Sequence, residues 1–212
     1  MKLYYFPKTR AMRPRWCLEE MGIPYELMRV DITQTDKQEY QKLHPHGKVP
    51  VLVDEDITIF ESAAICAYLT DKYSDKGLIP APGTSARAYY YQWLFYAMVT
   101  LEPPVEHYIF QVLPDLPERI SPLKKRSELS MDDTLAWFTQ VSEPLTAALE
   151  GQDFLVENQF TTADILTGGV LMWALQLGML DNHKILKAYA ETLREREAFG
   201  RANQDFYAKV ED

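Results

Sequence analysis

Four basic side chains lie within eight residues near the start of this sequence, although the chain carries a net charge of -9. They are Lys8, Arg10, Arg13 and Arg15. Cations at the start of a helix oppose its dipole, typically by about 0.3–1 kcal/mol each. Arg15 can pair with Glu19 one turn later, whereas the sequence offers Arg10 and Arg13 no acidic residue at that spacing. The cluster therefore indicates either a solvated basic face or a site for an anionic ligand.

Glu61 and Ser62 stand at the predicted start of a helix that follows a short strand pattern. A helix N-terminus offers backbone N–H groups and partial positive charge to an anion. The Ser62 hydroxyl can donate to a carboxylate, and Glu61 can accept from an ammonium group. Ordinary first-turn capping explains both residues equally well on local grounds. The pair therefore predicts a binding site only together with other motifs.

The cysteines and histidines do not suggest a metal site or a disulfide framework. Cys17 and Cys66 have no close spacing and fall within helical patterns, so we expect buried, reduced thiols. The histidines are not at the spacing of a ligand cluster. The turn before the first predicted helix reads Thr9-Arg10-Ala11-Met12 and carries no cysteine for thiol–disulfide exchange.

The elements that must position these residues follow the order β-α-β-loop-β-β-α. Strand patterns cover residues 2–6, 25–32, 48–54 and 57–60, and helical patterns precede Gly22 and cover residues 61–73. The β-α-β unit predicts a parallel first pair, and the short connection at Glu55-Asp56 predicts an antiparallel last pair. This order predicts a thioredoxin-like domain over residues 1–76.

The second half of the chain loses the strand patterns. Gly, Pro and Ser residues predict a linker over residues 77–85, followed by an all-helical domain over residues 86–212. Its helical patterns cover residues 86–112, 123–150, 162–180 and 183–209. Glu102-Pro103-Pro104 should kink or break the first, and Thr161 with Asp164 predicts a capping box. The predicted fold class is α/β plus all-α, with the thioredoxin-like domain first.

The net charge and the composition limit the classes of binding partner that we expect. A negative net charge disfavours nucleic acid and anionic membranes. No apolar run approaches the roughly 20 residues of a membrane span, and the N-terminus lacks a signal-peptide pattern. We therefore expect a cytoplasmic protein that has neither nucleic acid nor a membrane as its partner.

Three motifs in this order and spacing resemble the glutathione transferases, and the resemblance covers essentially the whole chain. They are HPHGKVPVL at residues 44–52, FESAAICAYL at 60–69 and FTTADIL at 160–166. The opening YYFPKTRAMRPRW is similar to bacterial members and to the theta- and delta-like classes, which use a serine or threonine. The resemblance implies a homodimer with glutathione as co-substrate, no metal and a role in detoxification.

The resemblance also implies where glutathione binds. A cis Val49-Pro50 bond would turn the Val49 backbone outward to pair with the cysteinyl unit, as in strand addition. Glu61 and Ser62 would hold the γ-glutamyl group. The remaining implied glutathione contacts are Lys48 and His46, at the glycyl carboxylate, and Arg13. Lys48 suits that carboxylate better than His46, because its charge persists across the pH range.

The residue that activates the thiol has several candidates. Thr9 aligns with the catalytic serine of the theta- and delta-like pattern, and a hydroxyl donor stabilises a thiolate. Tyr5 is the alternative, because YFP also resembles the classes with a catalytic tyrosine. Arg10 or a backbone N–H is the third option. A plain N-cap role for Thr9 is compatible with the first.

The second substrate is expected against Ala11, Glu102, Val105 and Tyr108, by alignment with the family. Glu102 is polar where apolar residues are common, which disfavours a purely apolar substrate. The predicted function is glutathione transfer to a small electrophile. The alternatives are a non-catalytic glutathione-binding or interaction module, or a specialised glutathione-dependent dehalogenase, isomerase or disulfide reductase.

Overall fold

The computed structural model describes residues 1–32, 38–113 and 129–204. Their contacts form two compact units. The first contains Met1–Ile79 and the described residues from Leu193 to the end of α9 and its following turn, and the second contains Pro80–Thr192. The domain boundaries expected from the sequence differ from this division, since they assign the end of the chain to the helical part.

The strands are β1 (Lys2–Tyr5), β2 (Glu26–Arg29), β3 (Val51–Asp54) and β4 (Ile57–Phe60). The helices are α1 (Met12–Met21), α2 (Gln38–Gln41), α3 (Ser62–Lys72), α4 (Ser85–Tyr96), α5 (Glu102–Val112), α6 (Met131–Ala148), α7 (Thr162–Gln176), α8 (Lys184–Arg194) and α9 (Glu197–Ala202). A short 3₁₀ turn covers Ser74–Lys76, and a π-helical turn covers Ala97–Leu101.

The first unit is built on a four-stranded sheet in the order β2-β1-β3-β4. The β1–β2 pair is parallel and the β3–β4 pair is antiparallel, as predicted. Both β2 and β3 are shorter than the predicted strands. In particular, β3 begins only after Pro50. The thioredoxin-like fold predicted for this part of the chain is confirmed.

Helix α1 packs against α3 and α9 within the first unit. It ends at Gly22, whose left-handed conformation (φ 64°) lets its N–H bond to the Glu19 carbonyl oxygen, as the predicted stop requires. Pro14 is tolerated because it lies in the first turn. Apolar side chains at 0% exposure, among them Leu3 and Trp16, form the core beneath these helices.

Helix α9 is joined to α1 by aromatic and ionic contacts. Phe199 meets Trp16 edge-on with ring centroids 5.0 Å apart. Arg196 makes two hydrogen bonds to the Glu20 carboxylate, at 2.6 and 2.8 Å. Arg201 donates to Glu19 at 2.9 Å. These contacts explain why the last described residues belong to the first unit.

The single helix predicted over residues 183–209 is wrong, because the chain leaves helical geometry between α8 and α9. Arg196 adopts an extended conformation (φ −66°, ψ 131°) at that point. Its pairing with Glu20 stabilises this break, and a sequence pattern does not report such a distant contact. Residues 205–209 of the predicted helix lie outside the described part of the chain.

The second unit is helical, as predicted. The sequence predicts a kink or break at Glu102-Pro103-Pro104. The structure has a π-helical turn just before the prolines, and the chain continues from it directly into α5 at Glu102. Prolines are tolerated there because first-turn N–H groups need no helical acceptor. Helix α6 starts at Met131 after a Ser130–Asp133 capping box, and residues 123–128 of its predicted span are not described.

The predicted capping box at α7 is confirmed. Thr161 accepts the N–H of Ala163, and the Asp164 carboxylate accepts the Thr161 N–H at 2.8 Å. Across residues 1–32, 38–113 and 129–204, no helix combines the length and apolar character needed to cross a membrane.

Candidate functional site

The loop before β3 contains the Val49-Pro50 bond, which is cis as the resemblance implies. Pro50 is buried, Val49 is half-buried and Lys48 is exposed. The Tyr40 hydroxyl donates to the Lys48 carbonyl oxygen at 2.7 Å. Burial, followed by the nearby Tyr4, raises the pKa of Tyr40 far above its usual value, so this hydroxyl remains a donor. The sequence predictions missed this anchor.

His44 shapes the turn that carries His46. The buried His44 ring accepts the His46 N–H through Nδ1 at 3.1 Å, and its centroid lies 4.7 Å from that of Phe60. Burial is the main cause that lowers the pKa of His44, with smaller contributions from His46 and Lys48. A neutral ring is what an accepting Nδ1 requires. His44 therefore has a structural role, while His46 is exposed.

The pairing of β3 with β4 brings the proline loop to the start of α3. Val51 is the partner of Phe60 in this antiparallel pair. The residues that precede Val51 and those that follow Phe60 therefore lie at the same end of the hairpin. This places Val49-Pro50 near Glu61 and Ser62, although the two motifs are separate in the sequence.

Glu61 has a backbone conformation that is rare for a residue with a side chain. Its φ is 74° and its ψ is 114°, and its side chain is exposed. Within the described part of the chain, its carboxylate makes no capping hydrogen bond to α3. Such conformations cost about 1–3 kcal/mol and concentrate at binding sites. The simple capping role considered for Glu61 therefore does not describe it.

Ser62 is the first residue of α3 and is 4% exposed. Its Oγ accepts a hydrogen bond from Nη1 of Arg13 at 3.3 Å. Arg13 is 0% exposed, so it lies behind Ser62 rather than on the surface. The resemblance implies a contact between Arg13 and the ligand. In the structure Arg13 is fully buried and contacts Ser62, a residue expected to bind the ligand.

Cys17 and Cys66 lie one turn after Arg13 and Ser62 on their respective helices. Both are buried, as expected, and no disulfide joins them. Their side chains also contact each other. Burial, and then the hydrogen bond with Cys17, raises the pKa of Cys66 well above its usual value. The Cys66 thiol is therefore a neutral group of the core and is not a candidate nucleophile.

Thr9 closes the turn between β1 and α1. Its hydroxyl donates to the Phe6 carbonyl oxygen at 2.6 Å and accepts the Ala11 N–H at 3.3 Å. Helix α1 begins three residues later, at Met12, so Thr9 is not its N-cap. A hydroxyl has one proton to donate. To donate to a ligand sulfur, Thr9 must release the Phe6 carbonyl.

The two alternative activators lie beside Thr9. Tyr5 ends β1, and the Arg15 guanidinium carbon lies 5.4 Å from its ring centroid. Arg10 is half-buried in the same turn. A shallow crevice borders this turn, and its walls are formed by Tyr5, Phe6, Pro7, Lys8, Met12, Arg15, Ala202 and Asn203. All of these residues belong to the first unit.

The residues expected to contact a second substrate differ in exposure. Ala11, in the first unit, is 1% exposed. In the second unit Glu102 and Val105 are buried, whereas Tyr108 is half-buried. Tyr108 is thus the residue of this set with clear side-chain surface. Among the described residues no cluster of three or more His, Cys, Asp or Glu side chains could hold a metal ion.

Known proteins match both halves of the chain. The family model of the glutathione S-transferase N-terminal domain matches residues 1–71, and that of the C-terminal domain matches residues 91–197. Glutathione S-transferase 3 of Zea mays is 30% identical over 210 residues, which cover 94% of this chain and 91% of the maize protein.

A relative with another printed activity is also similar. The disulfide-bond oxidoreductase YfcG of Escherichia coli K12 is 27% identical over 213 residues, covering 94% of this chain and 93% of its own. Among solved structures, a sphingomonad glutathione S-transferase complexed with glutathione has a TM-score of 0.79 and 27% identity. The match covers 99% of this chain and 100% of the sphingomonad chain.

Proposed function

The chain belongs to the glutathione S-transferase family, and from this premise we propose that it binds glutathione, lowers the pKa of the thiol and transfers the thiolate to a small electrophile. One observation carries the proposal. The β3–β4 register brings the Val49-Pro50 loop and the Glu61-Ser62 helix start to one end of a hairpin. A backbone edge and a helix N-terminus side by side suit an extended peptide that ends in a carboxylate.

Each part of glutathione then has a partner of suitable chemistry. The Val49 backbone pairs with the cysteinyl unit, with Pro50 fixing the loop. The Ser62 hydroxyl and the first turn of α3 receive the γ-glutamyl carboxylate, and Glu61 receives its ammonium group. Lys48 and His46 are exposed and available for the glycyl carboxylate.

Activation of the thiol is assigned to the β1–α1 turn. A free thiol has a pKa of about 8.5, so only a few per cent is ionised at neutral pH. Thr9 supplies the hydroxyl donor after exchanging its bond to Phe6. Tyr5 and Arg10 remain the alternatives, because Tyr5 ends β1 and Arg10 lies in the turn that follows it. Tyr108 of the second unit is the proposed contact of the electrophile, since Ala11, Glu102 and Val105 are buried.

The same proposal includes a symmetric homodimer in the cytoplasm. Exposed apolar side chains on α4 and the π-helical turn support the dimer, since Tyr89, Phe95 and Val99 are 55%, 66% and 68% exposed. Exposed apolar surface of this kind is commonly covered by a partner. A second copy of the chain is the partner we propose, in line with the frequency of twofold dimers.

A second candidate is glutathione-dependent disulfide reduction. The similarity to YfcG over most of both chains favours it. The turn at Thr9–Met12 carries no cysteine. In such a reaction the thiol of bound glutathione would therefore attack the disulfide, forming a mixed disulfide and releasing one thiol.

The experiment is a calorimetric titration with glutathione, followed by assays with a panel of electrophiles and a panel of glutathione mixed disulfides. Saturable binding with conjugation of an electrophile supports the transferase. Turnover of the disulfides alone supports the second candidate. Binding without any turnover would favour a non-catalytic glutathione-binding module, and the absence of binding would overturn the proposal.

A further inference from the structure

The seam between α1 and α3 consists of two adjacent contacts in the core of the first unit. Arg13 meets Ser62, and one turn further along each helix Cys17 meets Cys66. All four side chains are buried, with Arg13 and both cysteines at 0% exposure. Because both contacts join the same two helices, they fix the position of the first turn of α3 relative to α1.

The chemistry of the Arg13 contact determines which way the Ser62 hydroxyl can donate. A guanidinium group has only donors, so Arg13 must use a lone pair of the Ser62 oxygen. The single proton of that hydroxyl cannot point back at Arg13. It remains available on the other side of the oxygen, near the free N–H groups that begin α3.

We infer that Arg13 is the positioning residue of a carboxylate subsite: it holds Ser62 as a hydrogen-bond donor and places a fixed positive charge behind it. Arg13 does not touch the ligand. This inference rests on the proposed function, because the carboxylate is that of the γ-glutamyl group. According to this inference, Arg13 makes the site selective for ligands that carry this carboxylate over ligands that lack it.

Burial makes this arrangement effective. Interactions between buried charges are screened much less by salt than those at the surface. A hydrogen bond to a charged group is about twice as strong as a neutral one. The Arg13 charge polarises the Ser62 hydroxyl and strengthens its bond to a carboxylate. Arg13 can therefore act on a ligand that it does not contact.

The test uses two ligands and a matched pair of variants. The ligands are glutathione and 4-aminobutyryl-cysteinylglycine, which is glutathione without its α-carboxylate. Arg13→Met removes the donor and the charge but keeps an apolar side chain of similar length. Arg15→Met is the control, because Arg15 is also a buried arginine of α1, with its guanidinium over Tyr5. Dissociation constants for both ligands are measured by calorimetry.

Arg13→Met should weaken glutathione binding by about tenfold, while binding of the decarboxylated analogue changes by less than about twofold. Arg15→Met should affect the two ligands equally. A general loss of structure would weaken both ligands to the same extent, so selectivity for the carboxylate separates positioning from folding. Equal weakening of both ligands by Arg13→Met would overturn the inference.

A double-mutant comparison tests whether Arg13 acts through Ser62. In the Ser62→Ala background, Arg13→Met should cause less than about a twofold further loss of glutathione affinity, since the hydroxyl it positions is gone. Independent, multiplicative losses would overturn the inference. If Arg13→Met does not fold, nuclear magnetic resonance of the wild-type Arg13 guanidinium replaces it. Glutathione should shift that signal and the analogue should not, and the absence of a glutathione-induced shift would contradict the inference.

Glutathione binding by the wild type distinguishes a failure of the proposed function from a failure of the role inferred for Arg13. If the wild type does not bind glutathione, the proposed function fails and this inference fails with it. If it binds glutathione well and Arg13→Met loses both ligands equally, the role of Arg13 alone is overturned.

Discussion

The N-termini of helices α7 and α3 each combine a hydroxyl residue with an acidic residue, but the two arrangements serve different purposes. At α7, the Asp164 carboxylate accepts hydrogen bonds from the Leu155 N–H, from the N–H and hydroxyl of Thr161, and from the Tyr189 hydroxyl. Burial and then the Asp164 charge hold the pKa of Tyr189 well above its usual value, so its hydroxyl stays a donor. This helix start is closed by the protein itself.

The start of α3 is arranged in the opposite way. Glu61 has a costly backbone conformation and, among the described residues, no side-chain capping bond to α3. The Ser62 oxygen is held from behind by Arg13. A helix start closed by its own residues stabilises the fold, whereas one supported from behind and open in front can bind an anion. The comparison predicts that removing a side chain at the start of α7 acts mainly on stability, and that removing one at the start of α3 acts mainly on affinity.

The largest effect should follow from Asp164→Ala. Three residues lose a buried acceptor, at about 1–3 kcal/mol each, so the free energy of unfolding should fall by about 3 kcal/mol or more. Urea unfolding measures it. Asp133→Ala is the matched control, because the Ser130–Asp133 box of α6 is exposed and its loss should cost about 1 kcal/mol. Equal losses for the two variants would contradict the comparison.

Ser62→Ala should act on binding instead. It removes a hydroxyl bond to a charged carboxylate, worth about 1.5–3 kcal/mol. Glutathione affinity should fall roughly ten- to a hundredfold, while the melting temperature falls only modestly, because the buried Arg13 loses one acceptor. Ser85→Ala provides the control, because Ser85 is likewise the first residue of a helix but is exposed. A dissociation constant that is unchanged by Ser62→Ala would reduce Ser62 to a residue of the helix cap.

Glu61→Gly should separate stability from binding at one position. Glycine adopts a positive φ readily, so the variant should be more stable by about 1 kcal/mol, while loss of the carboxylate weakens glutathione binding. Glu61→Gln keeps the backbone cost and removes only the charge, so it should weaken binding without the gain in stability. Thermal unfolding and calorimetry measure both quantities. A less stable Glu61→Gly would show that the conformation at Glu61 carries no cost.

The smallest effect concerns His44 and the pH. The folded-state pKa of His44 is lowered, mainly by burial and further by His46 and Lys48, with Glu61 opposing. The unfolded chain therefore binds the proton more readily, and the stabilising contribution present above about pH 6.5 is lost as the pH falls towards the lowered value. Melting temperatures between pH 7.5 and 5 measure the slope. His44→Asn should flatten it, and an unchanged slope would exclude His44 as its source.

The order of strands and helices was predictable because local signals agree with the tertiary structure. Gly22 ends α1, the short turn at Glu55-Asp56 makes an antiparallel pair, and Thr161 with Asp164 begins α7. The Ser130–Asp133 box has the same S/T-x-x-D spacing and was equally readable. The break at Arg196 was not, because it depends on a distant partner, Glu20.

The candidate site was less predictable than the fold. Motifs identified Val49-Pro50 and Ser62, but the burial of Arg13 depends on which face of α1 packs against α3. The meeting of Cys17 with Cys66 depends on the same packing. The Thr9 bond to Phe6 is local, yet a threonine hydroxyl has several acceptors in a turn, so residue type alone does not choose among them.

The measurement that tests the central claim most directly is the thiolate absorbance of bound glutathione as a function of pH. The account predicts that the bound thiol is mainly ionised at pH 7. This requires the site to lower the thiol pKa of about 8.5 by about two units, which corresponds to about 2.7 kcal/mol of differential stabilisation. Thr9→Ala should raise the bound pKa by about one unit, Thr9→Ser should leave it nearly unchanged, and Tyr5→Phe should matter much less. A bound thiol that titrates like free glutathione would contradict thiol activation. A rise with Tyr5→Phe and none with Thr9→Ala would transfer the role to the tyrosine.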